Sequence, residues 1–455
     1  MATATLPRPA SSIPTVRGSL PLLGNLFQFW SDRLGLQDLA ARTGPIARVQ
    51  LANIPVYIVT DADLAHDVLV AQAGSMLKSA GLQFLKPLLG DGLLTAEGDT
   101  HRRHRKLLAP AFAPKRLAPY GEVMVDETLQ QTHSWRDAQH VDLSAEMMKM
   151  TLAIAGKTMF GADVRKDAET VAHGLDLAME SHEESLQSPI RLGYEWPLPR
   201  HLKMRRASKM LDQVVYRLIA EGRARGTDKG DVLSILLLAR DDEDGTGLTD
   251  AQVRDEVMTL LLAGHETTAN ALTWTWYELA RNPGVLATLA DEIDKLGGKR
   301  ITLDDLPALP YNLAVVEETM RMHPPAYMTG RETSRELTIG GHVMPKGTVI
   351  AVNIRGIHRR ADYYPDPDAF RPERMLVDAK KQRPRERYLP FGAGPRVCIG
   401  AHFALLEAQL ALATMVQQVR LELVSPAKVV PYDPQVTLRP KGGMPMIVRR
   451  REPTT

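Results

Sequence analysis

Cysteine is almost absent: Cys398 is the single thiol in 455 residues. A lone cysteine forbids intrachain disulfides, as expected of a reducing compartment, the cytoplasm. Long apolar runs are missing from the start of the chain, where residues 1–21 are small, polar and proline-bearing. Nothing there approaches the roughly 20 apolar residues of a bilayer span, which argues against a signal peptide or membrane anchor. Net charge is only +2, too little to suggest nucleic acid as a partner. No Ser/Gly linker, low-complexity tract or fixed-period repeat interrupts the chain. Beyond a flexible segment at 1–20, residues 21–455 are therefore expected to form one domain. With 44% hydrophobic and 24% charged residues, the composition is that of a large globular enzyme.

What is present centres on that thiol. Cys398 lies in Phe391-Gly392-Ala393-Gly394-Pro395-Arg396-Val397-Cys398-Ile399-Gly400. A thiol after a Gly/Pro-rich loop that opens a helix gains backbone N–H donors and the positive end of the helix dipole, which favour the thiolate. The bland alternative is a buried cysteine acting as a small hydrophobe. Five matched positions at fixed spacing reverse that preference, because the segment resembles the Phe-x-x-Gly-x-Arg-x-Cys-x-Gly haem loop of the cytochrome P-450 family. The resemblance implies haem b with Cys398 as the iron ligand. It also implies Phe391 shielding the sulfur, Gly394 and Gly400 leaving room for backbone donors, and Arg396 on a haem propionate.

The second informative segment is 249–282. Thr249 and Gln252 form a capping-box pattern and Asn282-Pro283 stops the run, so one helix is predicted that at 1.5 Å per residue spans about 50 Å. Its middle, 257–264, is apolar all round and expected to be buried, yet His265-Glu266-Thr267-Thr268 follows at once. Gly264 costs up to about 1 kcal/mol there relative to Ala, which suggests a flat group close by. Ala263-Gly264-His265-Glu266-Thr267-Thr268 resembles the family's distal-helix motif, which places Ala263 and Gly264 against the haem. By that resemblance Thr267 holds dioxygen by hydrogen bonding and Glu266 relays protons to it. Taken alone, Thr267 could equally bond its own i−4 carbonyl.

Glu318 and Arg321 share a helix face at i, i+3, a pair worth only about 0 to 1 kcal/mol when exposed. In the family the pair is buried and joined by an arginine of a later Pro-Glu-Arg, here Arg374, which gives all three a structural role. His101 and Arg105, one turn apart, and Arg331 match family propionate ligands, although many members carry tryptophan where His101 stands. Their alternative is ordinary surface charge. Two β-prone patches, 46–60 with a turn at 52–55 and 337–352 with turns at 340–341 and 345–347, interrupt an otherwise helical chain. The resemblance runs from about residue 21 to the end and implies a triangular, mainly α fold with a small β-sheet region. The haem would lie between the long helix and the cysteine-loop helix.

Arg102, Arg103, Lys106 and the Lys380-Lys381-Gln382-Arg383-Pro384-Arg385-Glu386-Arg387 run form two basic clusters. In the family's fold they would face an acidic electron donor, a separate ferredoxin or flavodoxin carrying electrons from NAD(P)H, with no reductase fused and a monomer expected. Charge runs are as often simply solvated faces. Pocket segments by resemblance are 73–94, 178–194 and the residues after Arg321. They include Leu82, Phe84, Leu85, Ala263 and Ala326, whose apolar character fits a hydrophobic small molecule. Fatty acid, terpenoid, steroid and polyketide all stay open. The function implied is a haem-thiolate monooxygenase that hydroxylates or epoxidises such a molecule. A peroxide-dependent, isomerase or lyase member of the same fold and a haem-thiolate gas sensor are the rivals.

Overall fold

A computed structural model describes residues 8–188, 192–240 and 245–451. Helices dominate it: α1 (Arg33–Thr43), α2 (Gly98–Leu108), α3 (Leu143–Phe160), α4 (Ala168–Gln187) and α5 (Pro199–Arg225), then α6 (Asp250–Arg281), α7 (Pro310–Met322) and α8 (Ala401–Gln418). The long helix α6 begins where its caps demand. Thr249 Oγ1 accepts the Gln252 N–H at 3.3 Å and Gln252 Oε1 accepts the Thr249 N–H at 2.9 Å, the reciprocal capping box. It packs against α3, α5, α7 and α8, burying Trp274 and Trp276 completely. A helix wrapped on every side can be apolar on every side.

The largest sheet collects strands from across the chain. β1 (Ile46–Leu51) and β2 (Ile54–Val59) form the expected hairpin, but its turn is shorter than predicted. Leu51 pairs with Ile54, so only Ala52 and Asn53 turn, with Ala52 at φ +51°. Pro55 therefore sits inside β2, one residue before pairing with the next strand begins, where its missing N–H falls outside that ladder. β3 (Met76–Lys78) and β4 (Thr329–Thr333) lie beyond it. β5 (Leu337–Ile339) and β6 (His342–Met344) form a separate hairpin about Gly340 and Gly341. The next strand, β7 (Val349–Val352), leaves that hairpin and joins the large sheet, giving the order β1-β2-β7-β4-β3. A last small hairpin, β8 (Tyr432–Pro434) with β9 (Leu438–Pro440), comes against α6.

The segment expected to be flexible is instead docked over its described part. Arg8–Pro9 pairs with β6, Val16 N–H donates to Arg48 O at 2.9 Å, and Ile13 and Val16 are buried. Apolar side chains spaced three apart give it something to bury; residues 1–7 lie outside the described residues. So do 189–191 of the expected pocket segment. Among the described residues no helix is long and apolar enough to cross a membrane.

Candidate active site

The cysteine loop is shaped by its own backbone. Gly392 and Gly394 adopt φ +71° and +72°, and a Cβ on Gly394 would lie 2.0 Å from Leu69 O, so no other residue fits there. Val397 N–H donates to Gly394 O at 3.0 Å and Cys398 N–H to Phe391 O at 2.9 Å, folding the loop back on itself. Gly400 caps α8, and there a Cβ would meet only Phe112 at 3.8 Å. Its N–H points at the Cys398 sulfur. The Cys398 side chain is exposed although protein surrounds it densely. Desolvation pushes the thiol up from its ordinary value, outweighing the Gly400 N–H and the Arg105 charge that pull it down. The Gly400 N–H does favour the thiolate, as expected of the loop, but burial outweighs it. A bound cation is what would deprotonate this sulfur.

In α6 nearly every residue from Val253 to Leu279 is buried, but Ala263 is exposed and Gly264 and Thr267 are half-buried. Positions i, i+1 and i+4 share a side, so the helix carries one open patch in its middle. The predicted all-round burial of 257–264 fails at its last two residues. Thr267 Oγ1 donates to Ala263 O at 3.0 Å, the local bond open to it from sequence, and keeps its acceptor lone pairs. Gly264 also serves a packing that the sequence did not show. A Cβ there would meet Met159 Sδ at 2.9 Å and Cε at 3.0 Å, so the glycine admits α3.

Glu266 is 2% exposed and faces β9. Its Oε1 accepts from Arg439 Nε at 2.9 Å and from Thr437 Oγ1, while Arg439 Nη1 reaches the exposed Asp176 of α4 at 3.2 Å. Burial alone would raise the carboxyl; Arg439 and Thr437 overcome it and hold the pKa below the usual carboxylate value. Neighbouring His265 bonds Leu261 O through Nδ1 at 2.6 Å and is kept neutral by burial.

Basic side chains gather beside the cysteine loop. Arg105 Nη1 donates to Val397 O at 2.8 Å. Arg331, 7% exposed, bonds Gly330 O at 2.9 Å and Thr329 Oγ1 at 3.0 Å, and its pKa falls to about 10 through burial and the Arg396 charge. His101 is likewise buried and falls to about 4, by desolvation and then by Lys78, Arg396 and Arg105. Lys78 was not foreseen from sequence. It pairs in register with Arg331 across β3 and β4, and its Nζ donates to Leu93 O at 2.9 Å and Ala96 O at 2.5 Å. Burial together with Arg396 and Arg331 brings it to about 7 despite Glu97. Glu97 is the carboxylate among them, bonded to Arg396, and Arg396 Nη1 is buried without a partner. A cluster with more buried cations than carboxylates and an orphaned guanidinium nitrogen fits a ligand bearing carboxylates. With an exposed thiol in the adjoining loop, the donor set fits haem.

The comparison with known proteins settles the family. The model of the family described as Cytochrome P450 matches residues 14–446. This chain belongs to the cytochrome P450 family. The P450 is similar to a cyclooctatin synthase of Streptomyces melanosporofaciens, 36% identical with 92% of each chain covered. It is also similar to a cyclooctat-9-en-7-ol 5-monooxygenase of the same organism, 34% identical over 90% of each chain. A third relative, a pentalenene oxygenase of Streptomyces avermitilis, is 32% identical over 92% of this chain and 93% of its own. The mainly helical architecture with small sheets is the family's fold, and the protein is an oxidoreductase.

In this P450 the Glu318 and Arg321 side chains have no solvent exposure, so the weak surface pair suggested by spacing becomes a buried one. Arg321 donates to Glu318 at 2.8 and 2.9 Å and to His358 O at 3.0 Å. Arg374 Nε stands 3.5 Å from Glu318, but its hydrogen bonds go to Pro365 O and Asp366 O. The link to the cysteine loop runs through His358, also missed from sequence: Leu389 N–H donates to its Nε2 at 2.7 Å. Burial and then the Arg321 charge lower His358 to about 3, keeping that lone pair available. Of the expected pocket residues, Ala263 and Ala326 are exposed and Leu82 and Phe84 half-buried. Leu85 is fully buried among core leucines and presents no surface to a pocket. The basic clusters are also partly committed. Arg102 pairs with Asp99, Arg103 bonds Thr246, Lys380 pairs with Glu317, and Arg383 and Arg387 lie over Tyr388 and Tyr363. Arg385 stays exposed.

Proposed function

We propose that this P450 is a haem-thiolate monooxygenase that places one oxygen atom from dioxygen into a hydrophobic, cyclic terpenoid-like molecule. The observation that carries the reading is the open patch of Ala263, Gly264 and Thr267 on α6, flanked by the buried Glu266 carboxylate. Cys398 stands at the head of α8, which packs on α6. Haem b held by the Cys398 thiolate would supply an iron that activates dioxygen, with electron density from sulfur favouring O–O cleavage.

The chain's own side chains do the rest. Arg105, Arg331, Arg396, His101 and Lys78 would take the haem carboxylates. Thr267 can turn its hydroxyl from Ala263 O to a ligand on the open patch, at the cost of one neutral hydrogen bond. Glu266, held as a carboxylate, takes up a proton when it leaves Arg439 and turns along α6 toward Thr267. Arg439 then keeps Asp176 as its partner, so its own charge is not stranded. Leu82, Phe84, Ala263 and Ala326 offer an apolar wall. The relatives' names point to a cyclic alkene or alkenol as the kind of molecule it would accept. Electrons would come from NAD(P)H through an acidic ferredoxin or flavodoxin docking near Arg102 and Arg385.

The test is a reduced-plus-CO difference spectrum followed by turnover under isotope-labelled dioxygen with a ferredoxin, its reductase and a panel of cyclic terpenes. A red-shifted carbonyl band and one labelled oxygen in the product are expected. Product formed from peroxide alone, or CO binding with no product from any electron donor, would overturn the reading in favour of its rivals.

A further inference from the structure

Glu278 on α6, His323 just beyond α7 and Tyr432 on β8 are joined by two short hydrogen bonds. His323 Nε2 lies 2.7 Å from Glu278 Oε1, and Tyr432 Oη lies 2.9 Å from His323 Nδ1. The direction of both follows from what each group is able to accept. Glu278 Oε2 already accepts from Asn282 Nδ2 at 3.2 Å. With the carboxylate as acceptor, His323 carries its hydrogen on Nε2, which leaves Nδ1 a lone pair into which Tyr432 donates. Burial keeps the imidazole neutral against the pull of Glu278, and burial also raises the Tyr432 phenol. Arg359 Nη2, 3.4 Å from Tyr432 Oη, and Arg355, 5.8 Å from the ring centre, face the same group and are paired with Asp368 and Asp38. A phenol so placed does not ionise at neutral pH, yet it has a neutral base aligned on its O–H bond.

Along α6, Trp274 stands between the open patch and the triad's Glu278. Its ring stacks on His323 with centres 4.5 Å apart and planes 4° apart, and its centre is 5.0 Å from that of Tyr432. Trp274 stands seven residues after Thr267 on the same helix, two turns along nearly the same side and about 10 Å away. It is fully buried, whereas Tyr432 is half-buried, so the two rings lead from the open patch of α6 toward solvent.

We propose that Trp274 and Tyr432 form a proton-coupled one-electron relay that drains oxidising equivalents from the open patch of α6 to the surface, with His323 as the proton acceptor. With haem b held as proposed above, on which this relay rests, peroxide would leave an oxidant at the patch that is reduced by one electron from Trp274, and Trp274 is restored by an electron from Tyr432. The Tyr432 O–H bond breaks, its proton moves to His323 Nδ1, and a neutral phenoxyl radical remains beside an imidazolium held by Glu278. A small reductant of the ascorbate class returns one electron at the half-exposed ring, and the proton goes back to Oη. This goes beyond monooxygenation, since it requires an oxidant at the patch but no substrate.

Flash-quench oxidation of the holoprotein by a ruthenium polypyridyl complex, trapped by freezing and read by EPR with ring-deuterated tyrosine, tests the relay. The chain has 11 tyrosines, so assignment rests on Tyr432→Phe. A tyrosyl signal is expected at neutral pH, lost in Tyr432→Phe and slower to form in Trp274→Phe. Circular dichroism checks that both variants stay folded. Under peroxide without substrate, Tyr432→Phe should lose its Soret band faster than the parent. No tyrosyl signal in the parent, a signal of equal size in Tyr432→Phe, or equal bleaching would overturn the relay and leave the triad a packing feature. A failure of the proposed monooxygenation would show as missing product and leave these radical signals unchanged.

Discussion

Glu318 and Glu266 are both buried carboxylates paired with an arginine, yet they are held in opposite ways. Glu318 takes two bonds from Arg321 and a third from the Arg371 N–H at 3.0 Å, with Arg374 close by. Its arginine is itself tied to His358, and through it to the cysteine loop. Glu266 gathers Arg439 and Thr437 on one oxygen, and its arginine is shared with a surface aspartate. A carboxylate bonded from several sides by buried partners cannot leave. One whose partner has a second acceptor at the surface can turn. The first arrangement suits a fixed mount for Cys398; the second suits a group that moves a proton.

The largest effect should come from breaking the mount. Arg321→Ala leaves Glu318 buried without its counter-charge, a loss of about 3–5 kcal/mol from a total that is about 5–15 kcal/mol in most proteins. Soluble yield and the urea midpoint should both fall sharply, and Glu318→Leu combined with Arg321→Met should recover part of the loss. An unchanged midpoint in Arg321→Ala would end the contrast at once.

Next in size is the thiol. Cys398→Ser should remove the red-shifted carbonyl band of the reduced protein under CO, while circular dichroism stays that of the parent because the side chain is exposed. A normal band in that variant would refute the ligand assignment.

The movable half is tested by Arg439→Leu. Glu266 now has a depressed pKa, so it contributes stability above the ordinary carboxylate range that is lost as pH falls through its lowered value. Without Arg439, burial raises the carboxyl and the contribution turns unfavourable as pH rises. The gap in melting temperature between parent and variant should be small in acid and widest near neutral pH. A gap independent of pH would mean that Arg439 does not hold the charge.

Thr267→Ala removes one hydrogen bond, worth about 0.5–1.5 kcal/mol, so stability should hardly change. Product per NAD(P)H consumed should fall and peroxide should rise, and unchanged coupling would count against the alcohol's role. The smallest effect is expected for Arg385→Glu, whose exposed charge is screened beyond about 8 Å at physiological ionic strength. The rate of the first electron transfer from an acidic donor should drop at low salt and converge with the parent at high salt.

Features set by neighbours along the chain are legible in the sequence alone. The cysteine loop, the two ends of α6, the Gly340-Gly341 turn and the i, i+3 spacing of Glu318 and Arg321 depend on backbone bonds and side chains within a few residues. Even there, reach is short. The hairpin turn is only two residues long, since Pro55 is tolerated in the strand one residue before pairing with β7 begins. Gly264 reads as a gap for a ligand, and its absent side chain also admits a sulfur from α3, a fact carried by no local pattern.

Fixed spacing within one loop or one helix turn encodes the family, the thiol, the long helix and the acid and alcohol upon it. Tertiary structure alone decided who holds whom. Arg439 lies 173 residues from Glu266, Lys78 comes from a strand outside any motif, and His358 reaches the cysteine loop only across the core. Burial also reverses energies that spacing suggests. It raises the Cys398 thiol that the loop's donors should lower, and it makes the Glu318–Arg321 pair indispensable where exposure would have made it nearly neutral, because a charge shielded from water depends entirely on the few groups around it.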